Sequence, residues 1–366
     1  MSPAGFEPRE ASPLVLTGEP EARGRGQTQD QRADAARVRE ATVERVARAR
    51  EEGLLDQRAL SYLAAQRDFH EVHDPSGMAE LKGIAQGFGL PLDELFLHLH
   101  LGTLRDFTGG AVLEDGCSAW AVSDGPEGPL AVKNRDYSGA HRGIQHVALH
   151  SGPDVRTGHW LAVGSLGSPG AYSSGMNACG LAVVDTQVSV RTHRVGWLRY
   201  FLMSRLLSEC ADVSEALDFI RSVPHAGGGT LVLADRSGTV AAVELGARET
   251  VSAMAAQVWR TNHYITQELA ANTLAPGDDR IAQNSRDRFR YLGEKIPHQR
   301  WGIRAAARLM ATHPDTEEAA APLCQHAAGE ASQTLSTSIY SCRLGVLTFS
   351  EGNPCAGRWL RYSLPS

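Results

Sequence analysis

At Gly109-Gly110 the spacing of apolar residues changes, and this break limits the fold more than any other feature of the 366-residue chain. Before it, small and apolar residues return every three or four positions. Val38, Thr42, Val46 and Ala49 form one set within 32–52, followed by Leu60, Leu63, Ala64 and Phe69, by Met78, Leu81, Ile84 and Ala85, and by Leu92, Leu95, Phe96 and Leu99. That period puts each set on one face of a helix, so four amphipathic helices are predicted, the third stopping at Gly87-Phe88-Gly89. After the break, short β-branched and apolar runs bounded by Gly, Asp and Pro predict strands at 118–122, 130–133, 145–150, 161–163, 181–186, 230–234, 239–245, 257–261, 337–341, 345–349 and 359–363. Helical runs at 197–207, 213–223, 287–294 and 302–312 interrupt them. Strands in groups with helices in pairs predict an α+β arrangement of packed sheets under helices, not an alternating βαβ fold. Residues 1–17 carry Pro, Ser and Ala without period and are expected to form a flexible leader. A helical region over 18–116 and a sheet domain over 117–366 complete the division.

Charge and composition narrow the function. Lys and Arg total 36 against 42 Asp and Glu, a net charge of −6 without a long run of either sign, which argues against nucleic acid as a partner. No apolar run approaches the ~18 residues that span a bilayer, and 1–10 lack the basic and apolar halves of a signal peptide. A cytoplasmic protein that does not engage a membrane is the expectation. The six cysteines are irregularly spaced and include no Cys-x-x-Cys, so neither a disulfide framework nor a zinc knuckle is expected. His70 with His73, and His98 with His100, lack a third ligand at suitable spacing, so no metal is expected. Gly227-Gly228-Gly229 lacks the Lys-Ser/Thr ending of a phosphate loop, and Ser173-Ser174 does not complete Gly-x-Ser-x-Gly.

Chemistry concentrates where the helices give way to the first strand, at Asp115-Gly116-Cys117-Ser118. A glycine before a cysteine leaves its carbonyl open to the neighbouring sulfur, the geometry of an N-to-S acyl shift. Hydrolysis of that thioester would cut the chain between Gly116 and Cys117. The new N-terminus would hold a thiol nucleophile and an α-amine of pKa about 7.7 to 8.0, able to serve as its general base. Taken singly, Cys117 reads as a buried structural thiol, Asp136 as a turn residue and Asn262 as an Asx-turn.

Taken together and in order, these segments resemble the acyl-CoA:isopenicillin N (6-aminopenicillanate) acyltransferase family, autoprocessing cysteine Ntn hydrolases. Asp115-Gly116-Cys117 is similar to the family's processing site, and Lys133-Asn134-Arg135-Asp136-Tyr137 to its next segment. Gly175 to Val183 is similar to its Asn-x-x-Gly turn, Thr261-Asn262-His263 to its Thr-Asn-His motif, and Asn284-Ser285 with Arg288 and Leu292 to the helix after it. Upstream, Gly18-Glu19-Pro20 to Gly26-Gln27 and Glu80 to Gly87 resemble two motifs of the pro-region. The resemblance implies a four-layer αββα sandwich preceded by a helical pro-region. It also implies Cys117 as nucleophile, Asp136 as a polar group of the site, and Asn262 as a side-chain donor to the oxyanion.

Departures from the family pattern at Arg135 and Thr186 are expected to face substrate, with Tyr137 and His263 beside them. The reaction implied is formation of a Cys117 thioester from a small amide or acyl-CoA donor, with transfer to an amine or to water. Coenzyme A enters only as part of a substrate, no cofactor is required, and the two self-cleavage fragments are expected to stay associated. Two other readings stand beside this one: a binding protein that keeps the fold without cutting itself, and an uncut thiol hydrolase using a Cys117/His263 dyad.

Overall fold

The computed structural model describes residues 6–109, 116–274, 280–313, 323–356 and 358–365, the backbone alone at 280–283. Gly110, Asp115 and residues 1–5 of the expected leader lie outside the described residues. In chain order the strands are β1 (Arg9–Glu10), β2 (Leu14–Thr17), β3 (Ser118–Val122), β4 (Leu130–Tyr137), β5 (Gln145–Ser151), β6 (His159–Ser165), β7 (Ser174–Asn177), β8 (Ala182–Thr186), β9 (Thr230–Ala234), β10 (Val240–Leu245), β11 (Thr250–Met254), β12 (Gln257–Arg260), β13 (Gln333–Ser341), β14 (Val346–Glu351) and β15 (Arg358–Ser363). One sheet runs β1-β15-β14-β13-β4-β3-β12 and the other β11-β10-β9-β8-β7-β6-β5-β2. Neighbours are antiparallel except β1 with β15 and β2 with β5.

Strand alternation sorts the side chains into layers. Ala119, Ala121 and Ala131 of the first sheet point inward with Tyr340, Leu347 and Phe349, and meet Val147, Leu161, Val163, Met176, Val184 and Val232 of the second. Their neighbours Trp120, Val122, Leu130 and Val132 point outward onto Leu292, Ile296, Trp301 and Met310, carried by and after the helices Arg280–Lys295 and Ile303–Met310. On the far side, Trp160, Ala162, Val183 and Leu233 pack on Phe201, Leu206, Leu217 and Ile220 of the helices Arg199–Glu209 and Val213–Ser222. Helix, sheet, sheet, helix is the αββα sandwich that the resemblance implies.

Among the described residues seven α-helices precede β3: Pro20–Gly26, Ala35–Ala41, Val43–Glu51, Gln57–His73, Pro75–Phe88, Leu92–His98 and Leu101–Phe107. The single helix expected over 32–52 is two, because the chain breaks at Thr42 (φ −123°, ψ −80°). The Thr42 hydroxyl donates to the Val38 carbonyl at 2.6 Å, a local bond that competes with the helical ladder and that apolar periodicity cannot reveal. The stop predicted at Gly87-Phe88-Gly89 is realised at Phe88, with Gly89 left-handed at φ +62°.

The two upstream glycine-bearing segments lie face to face. A β-carbon on Gly24 would collide with the Glu80 carbonyl, and one on Gly83 with the carbonyl of Glu21. These glycines let the two backbones touch. The leader is corrected in part: residues 9–10 and 14–17 are edge strands on opposite sheets rather than a loose segment. Pairing satisfies backbone groups that an open edge would leave exposed.

Candidate active site

Cys117 stands at the start of β3 and Asp136 near the end of β4, and the antiparallel register that sets Ser118 opposite Asn134 brings them together. The thiol donates to the Asp136 carbonyl, Sγ to O, at 3.6 Å. Alternation along β4 then divides the work. Asn134 points to the helical layer, its amide donating to the carbonyls of Met310 at 2.9 Å and Leu323 at 2.7 Å. Lys133, Arg135 and Tyr137 point the other way and line a cleft with Cys117, Asp136 and Tyr172.

The cleft wall is densely charged. Arg135 Nη1 donates to Ser165 Oγ at 2.9 Å, Gln145 Oε1 at 3.2 Å and Gly164 O at 3.4 Å, while its guanidinium lies over the rings of Tyr137 and Tyr172. Asp185 is gripped between Lys133 Nζ and Arg199 Nε. Burial alone would raise its pKa, but the two cations outweigh that and hold the carboxyl below the ordinary range. Tyr137, Tyr172 and Tyr200 also line an adjoining lobe whose other wall includes Arg45, His98, Leu99 and Leu101. Residues from before and after Cys117 therefore share one cleft.

Arg288, fully buried on the helix Arg280–Lys295, ties Cys117 to Asn262. Its Nη1 donates to the Cys117 carbonyl at 2.6 Å and to Ser118 Oγ at 2.9 Å; its Nη2 donates to Asn262 Oδ1 at 2.8 Å, and its Nε to Asn284 Oδ1 at 2.6 Å. A guanidinium only donates, so the contact fixes the oxygen of the Asn262 amide toward Arg288 and its nitrogen away. Nδ2 accordingly donates to the Gln187 carbonyl at 2.9 Å. Burial pulls the Arg288 pKa down from its usual value, opposed by Asp136 and Cys117.

Gln325 performs a similar service on the other side. Its Nε2 donates to Asp136 Oδ2 at 3.0 Å and to the Gly116 carbonyl at 3.2 Å. Thr334 Oγ1 donates to the second carboxylate oxygen, Asp136 Oδ1, at 2.5 Å. A β-carbon on Gly116 would displace the Gln325 amide from this position. The carbonyl of the expected cleavage site thus already carries a side-chain donor.

Two sequence expectations are corrected. Thr186 does not face the cleft: Asp185 and Gln187 do, and alternation turns Thr186 away, where its hydroxyl donates to the Thr261 carbonyl at 2.6 Å and lies 2.8 Å from Thr230 Oγ1. His263, like Asn262 beside it, is absent from the cleft lining among the described residues. Its Nδ1 lies 2.8 Å from Ser285 Oγ and its ring lies against Phe289. Burial first, then Arg288, Arg286 and Arg260, push its pKa down to about 4. A neutral imidazole turned to Ser285 does not form the thiolate–imidazolium pair of a Cys-His dyad. The sequence signal for Arg288 was its four-residue spacing from Asn284 and Leu292, which puts all three on one helix face. Gln325 and Thr334 had no such signal.

Residues 123–356 match the family described as acyl-coenzyme A:6-aminopenicillanic acid acyl-transferase. No curated protein matches the chain. Among solved structures, a mutant of the conjugated bile acid hydrolase from Clostridium perfringens is similar at 12% identity and TM-score 0.42, covering 68% of this chain and 97% of that one. Penicillin V acylase from Agrobacterium tumefaciens is similar at 15% identity and TM-score 0.34, covering 64% and 82%.

Proposed function

Since the chain belongs to the acyl-coenzyme A:6-aminopenicillanic acid acyl-transferase family, we propose that this enzyme cuts itself after Gly116 and then uses Cys117 to move an acyl group from a small amide or acyl-CoA donor to an amine or water. In the cut, Cys117 Sγ attacks the Gly116 carbonyl carbon while Gln325 Nε2 donates to the oxygen as charge builds on it. The C–N bond breaks, the amine takes a proton, and water hydrolyses the resulting thioester to a Gly116 carboxylate and a free Cys117 thiol.

In turnover the freed α-amine takes the thiol proton as sulfur attacks the donor carbonyl, then returns it to the leaving group. An amide NH₂ carries two hydrogens. One of Asn262 rests on the Gln187 carbonyl, and the second is assigned to the oxyanion. Arg135 and Tyr137, on the cleft wall, are assigned to substrate recognition, and the reaction is assigned to the cytoplasm, in keeping with six free cysteines. Among the described residues no helix is long and apolar enough to cross a membrane.

The observation that carries this reading is the Arg288 node, which holds the Cys117 carbonyl and the Asn262 amide from one guanidinium. The test is intact-mass analysis of purified protein. Two polypeptides, 1–116 and 117–366, are expected from the wild type and one uncut chain from Cys117→Ala, with turnover of small amides and acyl-CoA thioesters confined to the cut form. A Cys117→Ala protein that still splits at this bond, or full activity in an uncut chain, overturns the proposal.

A further inference from the structure

Away from the cleft, four metal-binding side chains from three separate segments converge. His313 follows the helix Ile303–Met310, Cys324 and His326 flank Gln325, and Cys355 lies in the turn between β14 and β15. His326 Nε2 is aimed between two sulfurs, 3.2 Å from Cys355 Sγ and 3.5 Å from Cys324 Sγ, and the sulfurs are 3.6 Å apart. The ligand atoms of His313, His326 and Cys355 all lie within 4.8 Å of one another. Among the described residues this is the one group of three or more such ligands so placed.

The spacing is chemically specific. With Zn–S about 2.3 Å and Zn–N about 2.0 Å, the donors of a tetrahedral zinc site stand about 3.3 to 3.8 Å apart. The separations among His326, Cys324 and Cys355 fall in or close to that range, while His313, grouped within 4.8 Å of His326 and Cys355 but not with Cys324, would move inward to complete the shell. A sulfur separation of 3.6 Å is far beyond the ~2.05 Å of a disulfide. Two sulfur and two imidazole donors suit zinc over the oxygen-seeking cations. Asn353 Nδ2 also lies 3.5 Å from Cys324 Sγ, a donor of the kind that steadies a metal-bound thiolate.

We propose that Cys324, His326, Cys355 and His313 form a structural zinc site that pins the loop carrying Gln325. Binding takes each thiol to its thiolate, with the two protons passing to solvent, and the two neutral imidazoles give nitrogen lone pairs; nothing is oxidised or reduced. This replaces the expectation of no metal, which came from histidine pairs on helices and from the lack of Cys-x-x-Cys. The site itself assumes nothing about self-cleavage or turnover.

The test uses full-length protein made without a histidine tag. Elemental analysis should find one zinc per chain, as four closed ligands require. His326→Ala, at an exposed position, and Cys355→Ser should each lose the metal while far-ultraviolet circular dichroism stays the same. Cobalt replacing zinc should give a thiolate-to-metal absorption band that Cys355→Ser weakens. A chain that carries no zinc and takes up none, metal retained in both variants, or a Cys324–Cys355 disulfide in a non-reducing peptide map would each overturn the proposal.

Discussion

Arg288 Nη2 lies 2.8 Å from Asn262 Oδ1, and that contact decides which way the Asn262 amide faces. If Asn262 Nδ2 serves the oxyanion, the contact strengthens as the carbonyl oxygen gains charge, so its loss falls on the transition state. Asn262→Ala should lower kcat about a hundred- to a thousandfold, about 2.7 to 4 kcal/mol, with little change in KM. Single-turnover acylation of Cys117 beside the melting temperature separates this from a folding role. Acylation within a few-fold of wild type, together with a lower melting temperature, would reassign Asn262 to the turn.

Under the proposed self-cleavage Gln325 should matter to the cut more than to turnover, since the Gly116 carbonyl it touches would be substrate once in the life of the chain. Gln325→Ala is expected to slow self-cleavage about tenfold or more, in line with the loss of a neutral oxyanion donor. Gly116→Ala should slow it too, because the new methyl displaces the Gln325 amide. The fraction of cut chain against time after synthesis reads both; processing at the wild-type rate in both variants would remove Gln325 from the reaction.

Arg135 presents its charge on the cleft wall between Tyr137 and Tyr172. Arg135→Ala should raise KM far more than it lowers kcat on the best substrate, and the loss should be greater for acidic than for neutral compounds. The measurement is a matched pair of substrates differing by one carboxylate. Identical KM ratios in both proteins would make Arg135 a packing residue only.

Glu80 gives a pH signature. Burial, opposed by Arg23 and the Gly170 N–H, pushes its carboxyl pKa up to about 7 from an ordinary 4.5. The folded protein therefore holds this proton more tightly than the unfolded chain does. The associated stability is full below about pH 4.5 and is lost as pH rises through 7. Asp74, raised by burial to about 6, acts in the same sense. Glu80→Gln keeps an acceptor for Gly170 and carries no charge. Its melting temperature relative to wild type should rise between about pH 5 and pH 8. A difference that does not vary with pH would show that Glu80 is not the titrating group.

The sequence revealed what short-range periodicity and local motifs encode. Packed sheets under helices followed from grouped strands and paired helices, the αββα order came with the family resemblance, and Cys117 and Asp136 meet because consecutive strands β3 and β4 form a hairpin register. Residues whose meaning depends on distant partners stayed hidden. Arg288 reaches Cys117 across 171 positions and Gln325 reaches Asp136 across 189, distances over which no pattern in one chain reports contact. Thr186 was misread because its role depends on which face of β8 fronts the cleft. The Thr42 break was missed because the apolar stripe runs through it while the hydroxyl does the breaking.

The first strands have a consequence for molecularity. β1 is laid on β15 in one sheet and β2 on β5 in the other, only a few residues apart, so the start of the chain staples the sandwich across its two halves. In an intact chain, forming that staple is a unimolecular step. If the bond after Gly116 is cut as proposed, it becomes an encounter between two polypeptides, paid for in translational entropy. Denatured mature protein should then refold at a rate that rises with concentration, whereas uncut Cys117→Ala protein should not. Self-cleavage of a fold interlocked in this way would leave the folded state intact and make its recovery from unfolding a matter of dilution.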